Sequence, residues 1–87
     1  MAEPWLSAKR IVIIGGTTGL GLSAALAFVR EGANVVVVGR NPESGAAAER
    51  QLNGNGLAMT GDAADPATAP QAIALCRQLF GGFDGLY

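Results

Sequence analysis

Residues 13–28 read IIGGTTGLGLSAALAF and place four glycines in the seven positions from Gly15 to Gly21. Glycine loses more conformational freedom on folding than any other residue. Such a cluster at the edge of a core therefore needs a reason, and its flanks supply one. RIVII (10–14) precedes it, a short apolar run of β-branched residues that suits a strand. Leu22, Ala25, Leu26 and Val29 follow at spacings of three and four, the period of a helix with one apolar face. A strand, a glycine turn and a helix start succeed one another directly.

The rest of the chain repeats that alternation. The first helix is expected over 19–31, with Gly32 as the residue that ends it, because glycine takes a positive φ without a Cβ penalty. NVVVV (34–38) is an unbroken β-branched run without alternation, the mark of a central parallel strand covered on both faces. Asn41, Pro42 and Glu43 then supply a cap, a first-turn proline and an acid at the positive end of a helix over 42–52. The NGNG run (53–56) ends it. GLAMTG (56–61) reads as a third strand, and Asp65-Pro66 repeats the cap-and-proline pattern ahead of a helix over 66–80. GGFDGLY begins a fourth strand. The order predicts an α/β fold, a doubly wound parallel sheet of Rossmann type in three layers with right-handed crossovers. The last strand stops without a turn or cap, so the chain reads as the N-terminal portion of a single longer domain.

Composition narrows the chemistry. The 87 residues are 49% hydrophobic and 15% charged, with a formal net charge of −1 and no histidine. No basic stripe is present to bind nucleic acid. The commonest general base and metal ligand is missing, and no metal-binding set is expected. Cys76 is the only cysteine and falls among Ile73, Leu75 and Leu79, where it reads as a packing residue. One cysteine and no disulfide suit a reducing compartment. The N-terminal MAEPWLSAKR lacks the apolar core of a signal peptide, and no apolar run approaches the ~20 residues of a membrane helix. A cytoplasmic protein without membrane partners is expected.

The glycines themselves point to a phosphate ligand. A helix start carries unpaired N–H groups and the positive end of the helix dipole, and a pyrophosphate reaches them only where no side chains intervene. In this reading Gly15 permits the sharp turn, Gly19 lets the backbone approach the phosphates, and Gly21 lets helix and strand pack closely. Thr17 and Thr18 offer hydroxyls at the rim. A tight βα turn alone would also use glycines, but here a strand precedes them, a helix follows, and the unit is the first of an alternating series. The spacing is G-x-x-x-G-x-G from Gly15 to Gly21 rather than G-x-G-x-x-G; GLGLSA (19–24) fits the latter pattern with Ala24, but it starts several residues beyond the strand.

At this point the chain resembles the short-chain dehydrogenases/reductases. Their first motif, T-G-x-x-x-G-x-G, is matched by IGGTTGLG (14–21), with Ile14 in place of the leading threonine. GDAAD (61–65) resembles the family's D-V-x-D after the third strand, and LFGGFDGLY resembles the stretch that leads into its N-N-A-G motif. The resemblance implies an oxidoreductase that passes hydride between a nicotinamide and a ketone or alcohol, and a homo-oligomer. It implies a cofactor set of Gly15, Thr17, Thr18, Gly19, Leu20, Gly21, Arg40, Asn41, Asp62 and Ala63, with the Asp62 side chain on the adenine amino group and the Ala63 backbone on a ring nitrogen. Asp62 also suits a turn or cap, a role that Asp65 fills better.

The end of strand two bears on which dinucleotide binds. NAD-binding relatives carry an acid there for the ribose 2′-hydroxyl, whereas this chain has Gly39-Arg40-Asn41. An acid would repel a 2′-phosphate, Gly39 leaves room for one, and Arg40 can pair with it. NADP(H) is expected over NAD(H); a solvated arginine ahead of a helix is the plainer alternative. The family's chemistry rests on a Tyr-x-x-x-Lys pair and a Ser. Lys9 and Tyr87 are the only residues of their types and do not form that pair, and Ser7, Ser23 and Ser44 lie near no base. No catalytic residue is therefore expected in this chain, which alone would be inactive. A non-catalytic dinucleotide-binding module remains open, and so does a nucleotide-dependent methyltransferase, although that usually needs an acid after strand two.

Overall fold

In a computed structural model that describes residues 9–87, the expected alternation is present: β1 (Arg10–Ile14), α1 (Gly19–Arg30), β2 (Asn34–Gly39), α2 (Pro42–Leu52), β3 (Gly56–Thr60), α3 (Thr68–Phe80) and β4 (Gly85–Leu86). Ser7 and most of the N-terminal segment read above as lacking a leader lie outside the described residues. The strands form one parallel sheet in the order β3-β2-β1-β4. That order places the crossover from β3 to β4 over the face opposite the first two crossovers.

Alternation along each strand divides the core into two layers. Ile11, Ile13, Val35 and Val37 pack with Ala25, Ala33, Ala48 and Leu52 on the side of α1 and α2. Val12, Val36 and Val38 pack with Ala72 and Cys76 on the side of α3. The valines of β2 are essentially without solvent exposure, as a strand covered on both faces requires. Each such side chain contributes about 1.5–3 kcal/mol of burial. The result is a doubly wound, three-layer α/β fold. Cys76 is fully buried, and its Sγ–H donates to the Gly82 carbonyl at 3.3 Å. Burial pushes its thiol pKa up, so the packing role holds.

α1 ends at Arg30, with Glu31 as its cap and Gly32 beyond it at φ 96°. α2 begins as expected: Asn41 Oδ1 accepts from the Glu43 amide at 2.8 Å, and Pro42 occupies the first turn. α3 starts two residues later than the Asp65-Pro66 pattern predicts. Asp65 Oδ1 accepts from the Ala67 amide at 2.9 Å, and the Thr68 amide donates to the Asp65 carbonyl at 3.0 Å. Asp65 thus caps a tight lead-in turn, and the helix proper begins once that turn is complete.

Two polar contacts finish the sheet. At the free edge of β3, Glu49 Oε1 accepts from the Ala58 amide at 2.8 Å. At the start of β1, Arg10 Nε donates to Asp84 Oδ2 at 2.8 Å and Nη2 to Oδ1 at 3.3 Å, while the Arg10 amide donates to Asp84 Oδ2 at 2.8 Å and the Asp84 amide to the Arg10 carbonyl at 2.7 Å. The guanidinium beside it holds the Asp84 carboxyl below its ordinary range. Among the described residues no helix is long and apolar enough to cross a membrane, and no cluster of metal-ligating side chains occurs.

Candidate functional site

A cavity of about 400 Å³ opens at the carboxyl ends of β1, β2 and β3. Open parallel sheets bind ligands at this end. The β1–α1 turn supplies Ile14, Gly15, Thr17 and Thr18 to its wall, the end of β2 and the start of α2 supply Val38, Gly39, Arg40, Asn41 and Ser44, and the segment after β3 supplies Gly61 and Ala63.

The turn is built to bring bare backbone to that wall. Gly15 leaves β1 at φ 80°, a conformation that disfavours any residue with a Cβ. The Gly15 and Gly16 amides both donate to the Val38 carbonyl, at 2.8 and 3.1 Å, which ties the turn to the end of β2. A Cβ on Gly21 would collide with the Gly15 carbonyl oxygen. The close packing expected of Gly21 is therefore helix against turn backbone rather than against the strand. Gly16, which the spacing argument passed over, is also sterically required, because a Cβ there would lie 2.8 Å from Val37 Cγ1.

α1 starts without a cap. Thr18 has extended backbone, its hydroxyl makes no capping bond, and no acid stands in the first turn. The Leu22 amide bonds the Thr18 carbonyl at 3.2 Å, whereas the amides of Gly19, Leu20 and Gly21 find no acceptor among the described residues. Unfilled donors and the dipole together make this end of α1 favourable for an anion. Gly19 and Leu20 are solvent-exposed here, Leu20 at 90%.

The two threonines differ. Thr18 is exposed at the rim, but Thr17 is only 7% exposed. Its side chain lies where a Cβ on Gly39 would stand. The Cβ position of Gly39 is thus filled by Thr17, while Gly39 itself lines the cavity beside Arg40. The contact joins the β1–α1 turn to the last residue of β2, so no local pattern could have announced it. Arg40 is exposed and has no hydrogen bond or ion pair among the described residues. Asn41 faces the same cavity with its oxygen committed to capping α2. Ser44, which the sequence shows only as lying near no base, joins Arg40 and Asn41 there because the start of α2 turns that position toward the end of the sheet.

Asp62 stands beside the cavity rather than in its wall. It is exposed, and its Oδ1 accepts from the Ala64 amide at 2.9 Å. Both Asp62 and Asp65 therefore hold turns, and the turn role does not belong to Asp65 alone. The Asp62 carbonyl accepts from the buried Thr68 hydroxyl at 2.6 Å, which anchors this loop to α3. Ala63 lies in the wall. The structure thus brings Gly15, Thr17, Thr18, Arg40, Asn41 and Ala63 to one cavity, while Gly19, Leu20, Gly21 and Asp62, next to them in the chain, do not line it.

Known proteins resemble this chain in sequence and in fold. A family model described as short chain dehydrogenase matches residues 9–87. A short chain dehydrogenase/reductase of Macrophomina phaseolina is 44% identical over 70 residues, covering 76% of this chain and 40% of that protein. An NADP-dependent (R)-specific alcohol dehydrogenase of Lentilactobacillus kefiri is 35% identical over 78 residues, covering 87% of this chain and 31% of the relative. The crystal structure of a short chain dehydrogenase from Bacillus anthracis superimposes with a TM-score of 0.83 at 30% identity, covering 93% of this chain and 34% of that one. The chain thus spans between 31% and 40% of the length of these relatives. By the extent of the family match and the likeness of the fold, this chain belongs to the short chain dehydrogenases.

Proposed function

We propose that the chain is the cofactor-binding part of an NADP(H)-dependent oxidoreductase acting on a small carbonyl or alcohol substrate. The observation that carries this reading is the uncapped, acid-free start of α1, which meets a turn closed to side chains and shares its cavity with Arg40, unpaired among the described residues. The residues fit a dinucleotide. The amides of Gly19, Leu20 and Gly21 suit the pyrophosphate, and the Thr17 and Thr18 hydroxyls suit phosphate or ribose oxygens. Arg40 and Ser44 suit a 2′-phosphate, and Asp62 with the Ala63 backbone suits the adenine. When bound, such a cofactor supplies hydride exchange with a carbonyl carbon. This chain's share is to hold the dinucleotide at the carboxyl ends of the strands and to balance its charge.

The NADP-dependent relative from Lentilactobacillus kefiri supports the same cofactor. The proposal extends to a single domain continued by a catalytic part, to assembly as a homo-oligomer, and to a cytoplasmic setting. Family resemblance supports the first two, and the single, buried cysteine suits the third.

Titration of the full-length polypeptide with NADPH and NADH tests the reading. A hydrogen bond to a charged group contributes about 1.5–3 kcal/mol, so Arg40→Ala is expected to weaken NADPH about 10–150-fold and to leave NADH unchanged. Unchanged NADPH affinity in that variant would remove Arg40 as the selector. Absence of binding by both dinucleotides to wild type would remove the dinucleotide reading itself.

A further inference from the structure

Asn53-Gly54-Asn55-Gly56 joins α2 to β3 and sets two Asn-Gly pairs in tandem. The carboxamide carbon of an asparagine is open to attack by the backbone nitrogen of the residue after it, and glycine, with no Cβ, shields that nitrogen least. In sequence the two pairs are alike, but the fold treats them differently. Asn55 is held at both backbone groups: its amide donates to the Leu52 carbonyl at 3.1 Å, and its carbonyl accepts from the Val35 amide at 3.0 Å. Gly56 beyond it is buried, and a Cβ there would stand 2.5 Å from Leu52 Cδ1 and 2.9 Å from Val35 Cγ2. The Asn55–Gly56 peptide is thus both bonded and packed.

The Asn53–Gly54 peptide has neither restraint. The Asn53 amide donates to the Arg50 carbonyl at 3.3 Å, but the Asn53 carbonyl and the Gly54 amide find no partner among the described residues. Both residues are exposed, and nothing stands within 4 Å of a Cβ built on Gly54. The Asn53 carboxamide makes no hydrogen bond among the described residues. Asn53 ends α2 in the left-handed conformation, at φ 52° and ψ 53°. Residues with a Cβ populate that conformation sparsely, so a turn about the Asn53 Cα–C bond leaves it at little cost.

We propose that Asn53 is a site of spontaneous covalent modification, where the Gly54 nitrogen closes on the Asn53 carboxamide, and that the fold spares Asn55. The Gly54 N–H gives its proton to solvent base, and the nitrogen bonds Asn53 Cγ. The Cγ–Nδ2 bond breaks as Nδ2 takes up a proton and leaves as ammonia. Water then opens the resulting succinimide ring at one of its two carbonyls. Opening at Cγ leaves an aspartate, and opening at the backbone carbonyl leaves an isoaspartate, whose main chain is one methylene longer. No atom is oxidised or reduced. Either product sets a negative charge at the C-terminal end of α2, the unfavourable end of its dipole. The longer product also stretches the link between Leu52 and Gly56, which pack against each other across it. The site lies at the amino ends of the strands, away from the cavity, so its chemistry does not depend on the ligand bound there.

The test is a timed incubation of the full-length wild-type polypeptide in mildly alkaline buffer, with and without urea, followed by trypsin digestion. Cleavage after Arg50 and Arg77 releases residues 51–77 as one peptide with both asparagines, and its fragment masses tell which amide has become an acid. An unincubated sample corrects for conversion during digestion. In native buffer Asn53 is expected to convert about tenfold or more faster than Asn55, whose two backbone hydrogen bonds have to open first. In urea the two are expected to convert at comparable rates. Folded protein that converts Asn55 as fast as Asn53, or converts neither while the urea sample converts both, would overturn the inference. The same preference for Asn53 in urea would also overturn it, since the fold would then not be the source. Asn53→Gln, whose amide has to close a larger ring, is expected to abolish the fast phase of ammonia release. A fast phase that persists in this variant places the chemistry elsewhere and overturns the assignment.

Discussion

One methyl group at position 21 would meet the Gly15 carbonyl oxygen. Neither partner has room to yield, because one is in the first turn of α1 and the other in a turn hydrogen-bonded to β2. Gly21→Ala is therefore expected to cost about 1–3 kcal/mol, the range of overpacked sites, and to weaken dinucleotide binding at least tenfold. Chemical denaturation and fluorescence titration read the two effects separately. At this scale the spacing of Gly15, Gly19 and Gly21 was legible, since the family motif and the steric need coincide on the same positions. Gly16 was not, because its crowding comes from Val37 on the neighbouring strand. The neighbour of Gly39 was not legible for the same reason: a glycine in sequence shows that space is needed but not what fills it.

The helices rest on local chemistry. The Asn41 oxygen holds the Glu43 amide, and N-cap replacement by alanine costs typically ~1 kcal/mol. Asn41→Ala is expected to lower stability by about that amount in a urea melt. It is also expected to lower dinucleotide affinity, because Arg40 and Ser44 are oriented by the same turn. The Glu49–Ala58 bond does for β3 what a cap does for a helix. Gly61 donates to the Gly39 carbonyl and Val35 to that of Asn55, so by alternation the Ala58 amide points away from β2. Glu49→Ala is expected to speed hydrogen exchange at Ala58 while leaving that of Leu57 and Met59 nearly unchanged. The start of α2 was legible because its Asn-Pro-Glu signal acts on adjacent residues. The start of α3 was misplaced because Asp-Pro serves a lead-in turn as readily as a helix cap, and only the hydrogen bonds of Ala67 and Thr68 separate the two.

Across the whole molecule, the parallel order was legible from β2, whose four valines have to be covered on both sides. The partners of the outer strands were not, because they depend on pairs such as Arg10 and Asp84, separated by 74 positions. That pair carries a pH signature. The Asp84 carboxyl is held below its ordinary range, so below about pH 4 the unfolded chain binds a proton more readily than the folded one. The stabilisation is present above that pH and is lost as pH falls through the folded-state value. Wild type is therefore expected to lose thermal midpoint between pH 5 and pH 2 more steeply than Asp84→Asn. The cavity lies at the other end of β1, so dinucleotide affinity at neutral pH is expected to stay within about threefold in that variant, a difference under 1 kcal/mol.

The fork between Arg10 and Asp84 also has a temporal side. Ribosomes add roughly 5–20 residues per second, so the first strand waits about 4–15 s for its outer neighbour to be made. Through that interval one flank of the eventual central pair is bare, and a nascent chain stalled before Asp84 would present it to chaperones or to other unfinished copies.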